Sequence, residues 1–351
     1  MQRLVLALLA SVLLLGAAVG ARDAGSSPSS PDQGAFVRGV ALGLFASDPG
    51  WDYGPMVEEI AARGATDVLV VVNAHQSDRF ASDIASRPGQ APSSTTLART
   101  LAQVRRAGMR AALMPVVRLA ERAPHEWRGV IAPADGLDVW FSAYRDFVLP
   151  LARIAAAEGA YRFVVGSELS SLEAHEGRWR ALIGELRVAF PGKLTYSANW
   201  DHAAEVQFWD ALDEVGLTAY FPVSEEASPS AAGMARAWRG PREEIAVLHA
   251  RVGKPVLITE VGYASRPRAG ARPWDDAGAA EPDLRVQQRL YRGFCDAFAE
   301  TRVSGFYVWN WFGFGGPRDA GFTPRGKPAA TELAECFARE WLAPAPAGNR
   351  T

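Results

Sequence analysis

The chain has 351 residues, 48% of them hydrophobic and 22% charged, and its formal net charge is −2. That balance gives no ground to expect nucleic acid or an anionic membrane surface as a partner. The length suits one large α/β barrel, which takes ~250 residues plus insertions.

Met1-Gln-Arg3 is followed by an apolar stretch, Leu4 to Leu15, broken only by Ser11, and then by small residues through Ala21. This is the order of a secretory signal, expected over residues 1–21 and cut near Ala21. The stretch is short for a membrane span, so an uncleaved anchor is the weaker alternative. Residues 22–35, with Ser-Ser-Pro-Ser-Ser-Pro inside them, read as a flexible linker. The expected address is therefore secreted or periplasmic, with no stable membrane insertion once the signal is removed.

From residue 36 onward, apolar runs of strand length alternate with amphipathic stretches. The strand candidates are Val37–Phe45, Asp67–Asn73, Arg110–Val117, Arg162–Glu168, Lys193–Asn199, Glu214–Tyr220, Pro255–Glu260 and Gly305–Trp311. Helical patterns fall at Pro55–Arg63, Thr96–Ala107, Val139–Ala157, Arg178–Phe190, Ala231–Val252, Leu284–Thr301 and Ala329–Trp341, with a shorter one around His202–Trp209. Continuous apolar strands imply burial on both faces, as in a parallel sheet jacketed by helices. Eight such units predict a single-domain (β/α)8 barrel over 36–343, with a disordered tail at 344–351. An open doubly wound sheet would bring a glycine-rich phosphate loop after its first strand, and Leu42-Gly-Leu-Phe-Ala-Ser47 is not one.

Barrel enzymes build their sites at the C-terminal ends of the strands. Here those ends carry Asn73, Glu168, Asn199 with Trp200, Tyr220, Glu260, and Trp309-Asn-Trp311. A carboxylate ending a buried apolar run is costly unless something there needs it. Two of them, on the fourth and seventh strands, can face each other across the barrel mouth. Two carboxyl groups ~5–5.5 Å apart hydrolyse a glycosidic bond with retention, one as proton donor and one as nucleophile. The donor's pKa is expected to be the raised one.

Five histidines show no ligand motif, and Cys295 and Cys336 lack the spacing of a metal site, so no metal or other cofactor is expected. The two cysteines either bridge or remain buried thiols. The expected partner is an oligo- or polysaccharide, taken up by a monomer.

Several segments resemble the β-mannanase-like family, glycoside hydrolase family 113 of the clan A retaining enzymes. They are Gly166-Ser-Glu-Leu-Ser-Ser171, Leu194-Thr-Tyr-Ser-Ala-Asn-Trp200, Phe208-Trp-Asp210, Gly216-Leu-Thr-Ala-Tyr-Phe221, Pro255-Val-Leu-Ile-Thr-Glu-Val-Gly-Tyr263, Trp309-Asn-Trp-Phe312 and Gly321-Phe-Thr-Pro-Arg-Gly-Lys-Pro328. The resemblance implies that Glu168 is the acid/base and Glu260 the nucleophile. Many members of the clan carry Asn before the acid/base, contacting the sugar 2-hydroxyl. Ser167 stands there in this chain, which leaves manno- and gluco-configured substrates both open.

Supporting roles follow from chemistry. Tyr220 is placed to hydrogen-bond Glu260 and keep it ionised. Trp309 is expected inward as the sugar platform at the cleavage subsite, with Trp311 reaching the rim. Asn199 and Trp200, and Asn73 with His75, are candidates to line the cleft. Two long insertions, Gln76–Ser94 and Arg266–Pro282, read as substrate loops, with Trp274 in the second as an outer platform. A saccharide-binding barrel that does not cut, and a transglycosylase or hydrolase of another envelope or exopolysaccharide, are the alternatives.

Overall fold

The computed structural model describes residues 35–87, 89–275, 280–301 and 303–342. The expected signal segment, nearly all of the linker and the tail lie outside them. Eight parallel strands close into a barrel in chain order. They are β1 (Val37–Gly43), β2 (Asp67–Gln76), β3 (Arg110–Leu119), β4 (Arg162–Ser167), β5 (Lys193–Ala198), β6 (Glu214–Thr218), β7 (Val256–Val261) and β8 (Gly305–Val308). The helices are α1 (Gly54–Ala61), α2 (Ser94–Arg106), α3 (Leu137–Ala157), α4 (Glu176–Ala189), α5 (Ala231–Ala237), α6 (Arg239–Val252), α7 (Leu284–Phe298) and α8 (Pro328–Phe337). Among the described residues no helix is long and apolar enough to cross a membrane.

The strands alternate between two apolar layers, as a period of two residues requires. On β2, Val68, Val70 and Val72 face the helical jacket. Leu69 and Val71 point inward, where they meet Val37, Ala41, Ala112, Met114, Val116, Val164, Leu257 and Tyr307 as the filling of the barrel. Strand N-termini close its lower end with buried ion pairs. Arg162 sits 2.7 Å from Glu214 and donates to the Tyr307 hydroxyl, while Arg110 grips Asp67 with two hydrogen bonds. The charge of Arg162 is satisfied on every side, as a buried guanidinium must be.

Three differences from the sequence reading have clear causes. The single helix expected over Ala231–Val252 breaks at Trp238, because Pro241 supplies no amide for the preceding turn. Trp238 is buried there, edge-on to Phe294 and Phe298. The helix expected around His202–Trp209 is replaced by turns and a single 3-10 turn at Trp209–Ala211. Strand β8 ends at Val308, so Trp309 to Trp311 lie beyond it.

Cys295 on α7 and Cys336 on α8 form a disulfide across 41 residues, which settles the open pairing. Phe36, at the entry to β1, stacks on Trp341 with ring centroids 4.7 Å apart.

Candidate active site

Glu168 and Glu260 both sit at the C-terminal mouth of the barrel and are only 6% and 2% exposed. The parallel pairing skips register at each of their strands, between Val164 and Ser167, between Leu217 and Thr218, and between Ile258 and Val261. Such irregularities re-aim side chains next to active sites. Glu168 is the first residue past β4 and adopts a left-handed backbone with φ of 51°. Its amide is pinned to the Ser197 carbonyl at 2.8 Å. A left-handed non-glycine residue costs roughly 1–3 kcal/mol and persists only where its surroundings over-determine it.

A short chain of polar atoms joins the two carboxylates. Arg128 Nη2 lies 2.6 Å from Glu168 Oε2 and 3.4 Å from Ser167 Oγ, and Arg128 Nε donates to the Ser167 carbonyl at 3.0 Å. The Ser167 hydroxyl lies 3.4 Å from Glu260 Oε1, and the Tyr220 hydroxyl donates to Glu260 Oε2 at 3.0 Å. Burial pushes the Glu260 carboxyl up to about 8, and the charge of Glu168 adds to the push; Arg128, Tyr220 and Ser167 oppose it. A neighbouring carboxylate charge disfavours ionisation of a buried carboxyl group, so Glu168 and burial act on Glu260 in the same direction. Burial thus raises the member of the pair expected as nucleophile.

The remaining candidates sort by position. Asn73 continues the inward face of β2, and its buried Oδ1 has no protein partner among the described residues. His75, two residues on, is likewise buried at Nδ1 without a partner; burial lowers its pKa, as do the charges of Arg87 and Arg118. Trp309 packs on the barrel filling beside Phe45. Gly262 lets it approach, for a Cβ there would come within 2.8 Å of the Trp309 carbonyl. Trp200 and Trp274 meet as a stacked pair, centroids 6.3 Å apart and planes at 24°, and Trp274 is 48% exposed. This joins the end of β5 to the loop after β7 in one aromatic surface.

One candidate is placed away from its expected role. Trp311 is 2% exposed and its indole donates to Glu59 on α1 at 2.9 Å, so it packs on the outside of the barrel rather than at the rim. Residues two apart on a strand share a face, so alternation cannot part Trp309 from Trp311; the chain's departure from β8 does. Asn199, just past the end of β5, donates to Asp201 and accepts from Thr218 at the end of β6. Arg128 was not anticipated. It comes from the loop after β3, forty residues from Glu168, and carries no local motif.

A solved β-mannanase of glycoside hydrolase family 113 from Alicyclobacillus acidocaldarius, in complex with ManMIm, is 25% identical, with a TM-score of 0.77 over 87% of this chain and 97% of its own. A second family 113 β-1,4-mannanase is 22% identical with a TM-score of 0.78, covering 87% of this chain and 100% of its own. A more distant barrel, GH5_18 from Streptomyces cattleya in complex with GlcNAc, shares the fold at 15% identity and a TM-score of 0.57, over 89% of this chain and 83% of its own. No curated protein sequence matches. The model for Glycoside Hydrolase Family 113 matches residues 54–316, and so the chain, a glycosidase, belongs to that family.

Proposed function

We propose that this glycosidase cleaves β-1,4-linked mannan or manno-oligosaccharides with retention of configuration, through a covalent intermediate on Glu260. The observation that carries this reading is the meeting of Glu168 and Glu260 at Ser167, whose hydroxyl lies 3.4 Å from Glu260 Oε1 and 3.4 Å from the Arg128 Nη2 bound to Glu168. The relatives' mannanase activity supports the choice of sugar.

The first step requires the proton on Glu168 and the charge on Glu260, so the proton that burial favours on Glu260 has to pass to Glu168 before attack. Glu168 in its acid form gives that proton to the leaving oxygen as ionised Glu260 attacks the anomeric carbon, forming a glycosyl ester. Tyr220 donates to the attacking carboxylate and favours its charged form. Arg128 holds one oxygen of Glu168, Oε2, and the acid donates from the other. Water then enters, Glu168 takes its proton, and attack on the anomeric carbon frees Glu260. Trp309 supplies a face for the sugar over the barrel, and the Trp200–Trp274 pair extends the apolar track outward.

We also propose that the protein is exported. The Leu4–Leu15 stretch supports this, as does the Cys295–Cys336 disulfide, a bond that persists in oxidising compartments. Residue-level roles are tested by Glu168→Ala and Glu260→Ala, each expected to abolish mannan hydrolysis in a folded protein. Proton NMR of the first product should show the β-anomer; the α-anomer as first product would rule out retention.

A further inference from the structure

Behind the cleft lies a buried polar cluster that the reaction itself does not use. The Leu169 amide, the peptide that follows Glu168, donates to the Tyr196 hydroxyl at 2.9 Å. That hydroxyl in turn donates to Glu173 Oε1 at 2.7 Å. Glu173 is 4% exposed, and its second oxygen, Oε2, has no hydrogen-bond partner among the described residues. His202 Nδ1 lies 3.7 Å from that oxygen. Tyr196 is held from the other side as well. Its ring and that of Trp179 lie so close to β4 that a Cβ on Gly166 would come within 2.9 Å of each.

We propose that Glu173 and Tyr196 are positioning residues for Glu168: the buried carboxylate orients the Tyr196 hydroxyl, and that hydroxyl fixes the left-handed turn from which Glu168 reaches the leaving oxygen. This rests on Glu168 being the acid/base. Three features carry it. The tyrosine hydroxyl binds the backbone amide that directly follows a strained catalytic position. A buried carboxylate is too costly to serve merely as filler for a phenol. The relay also lies on the jacket side of the barrel wall, where Tyr196 packs against Trp179, Phe208 and Trp209, so a polar pair is an exception among apolar neighbours.

The charges around Glu173 set its behaviour. Burial raises its pKa to about 7; the Tyr196 hydrogen bond and His202 oppose this, while Glu205 and Glu168 add to it. Burial keeps the Tyr196 phenol protonated, a permanent donor.

The test separates proton donation from every other step. A mannohexaose needs a proton on its leaving oxygen, whereas dinitrophenyl β-mannobioside does not, because its leaving group departs unaided. Tyr196→Phe should lower kcat/KM on mannohexaose by about 10- to 100-fold, a fraction of what general acid catalysis contributes, and leave kcat/KM on the aryl substrate nearly unchanged. Glu173→Ala should show the same selectivity, which keeps the test open should Tyr196→Phe fold poorly. An equal fall on both substrates, or no fall on either, would overturn the relay. Glu168→Ala is the control for the underlying assignment: it must itself lose mannohexaose selectively. If it does not, the acid/base assignment has failed; if it does and the relay variants do not, the relay alone has failed.

Discussion

Arg128 Nη2 lies 2.6 Å from Oε2 of Glu168, bringing a guanidinium from the loop after β3 onto a carboxylate at the end of β4. The same charge opposes the upward push on Glu260, so one arginine acts on both members of the pair. Removing it should let Glu260 rise further. The acidic limb of kcat/KM, which reports the free enzyme's base, should then move to higher pH in Arg128→Ala. It should move less in Arg128→Lys, which keeps the charge. An acidic limb at the same pH in all three proteins would contradict the coupling.

Tyr220 donates to Glu260 Oε2 at 3.0 Å. Tyr220→Phe removes that donor from a buried carboxyl group, a loss of about 1–3 kcal/mol, or roughly 5- to 150-fold in rate. The fall should be seen on mannohexaose and aryl substrate alike, because both need the nucleophile. Steady-state kinetics on the two substrates decides it.

Glu260 also bears on stability. Its folded pKa is raised to about 8 from an ordinary 4.5, so the folded state holds a proton that the unfolded state has released between those values. Stability from this group is therefore full below the unfolded value and falls as pH rises towards the folded one. Glu260→Gln has no such loss. Its Tm should exceed that of the parent at about pH 8 and converge with it near pH 4. Thermal unfolding across pH measures this, and a pH-independent difference would contradict it.

Trp274 and Trp311 should respond in opposite ways. Trp274→Ala, at an exposed ring stacked on Trp200, should raise KM for long manno-oligosaccharides and leave Tm nearly unchanged. Trp311→Ala empties a buried site bonded to Glu59, and large-to-small changes of this kind cost about 3–5 kcal/mol. Paired kinetics and unfolding of the two variants separate substrate contact from packing.

The Cys295–Cys336 bond closes a span of 41 residues between α7 and α8. The chain-entropy account gives such a loop about 4 kcal/mol. The double Cys→Ser variant should lose stability of that order in denaturant, and a reductant should destabilise the parent but not the variant.

Much of this fold is written locally. Runs such as Val68–Val72 and Leu257–Thr259 are apolar on both faces, which only a jacketed parallel strand demands, and the glutamates closing two of them stand out against that background. Strand ends were less legible. Strands β2 and β3 stay paired out to Gln76 and Leu119, because the pairing depends on the neighbouring strand and not on hydropathy. Trp311 misled for a related reason: its environment is set by Glu59, some 252 residues away in sequence. Arg128, Tyr196 and Glu173 were illegible as site residues because each acts through contacts that the closed barrel creates; Tyr196 falls inside the Leu194–Trp200 segment, but nothing there marks its hydroxyl.

The central claim is a covalent glycosyl-enzyme on Glu260. A slow mannosyl fluoride bearing fluorine in place of the 2-hydroxyl, incubated with the intact protein and followed by peptide mass spectrometry, tests it most directly. The account predicts one added glycosyl unit, located on Glu260 and lost again on incubation with acceptor sugar. A label on any other residue, or hydrolysis that inverts the anomeric centre with no labelled peptide, would contradict it.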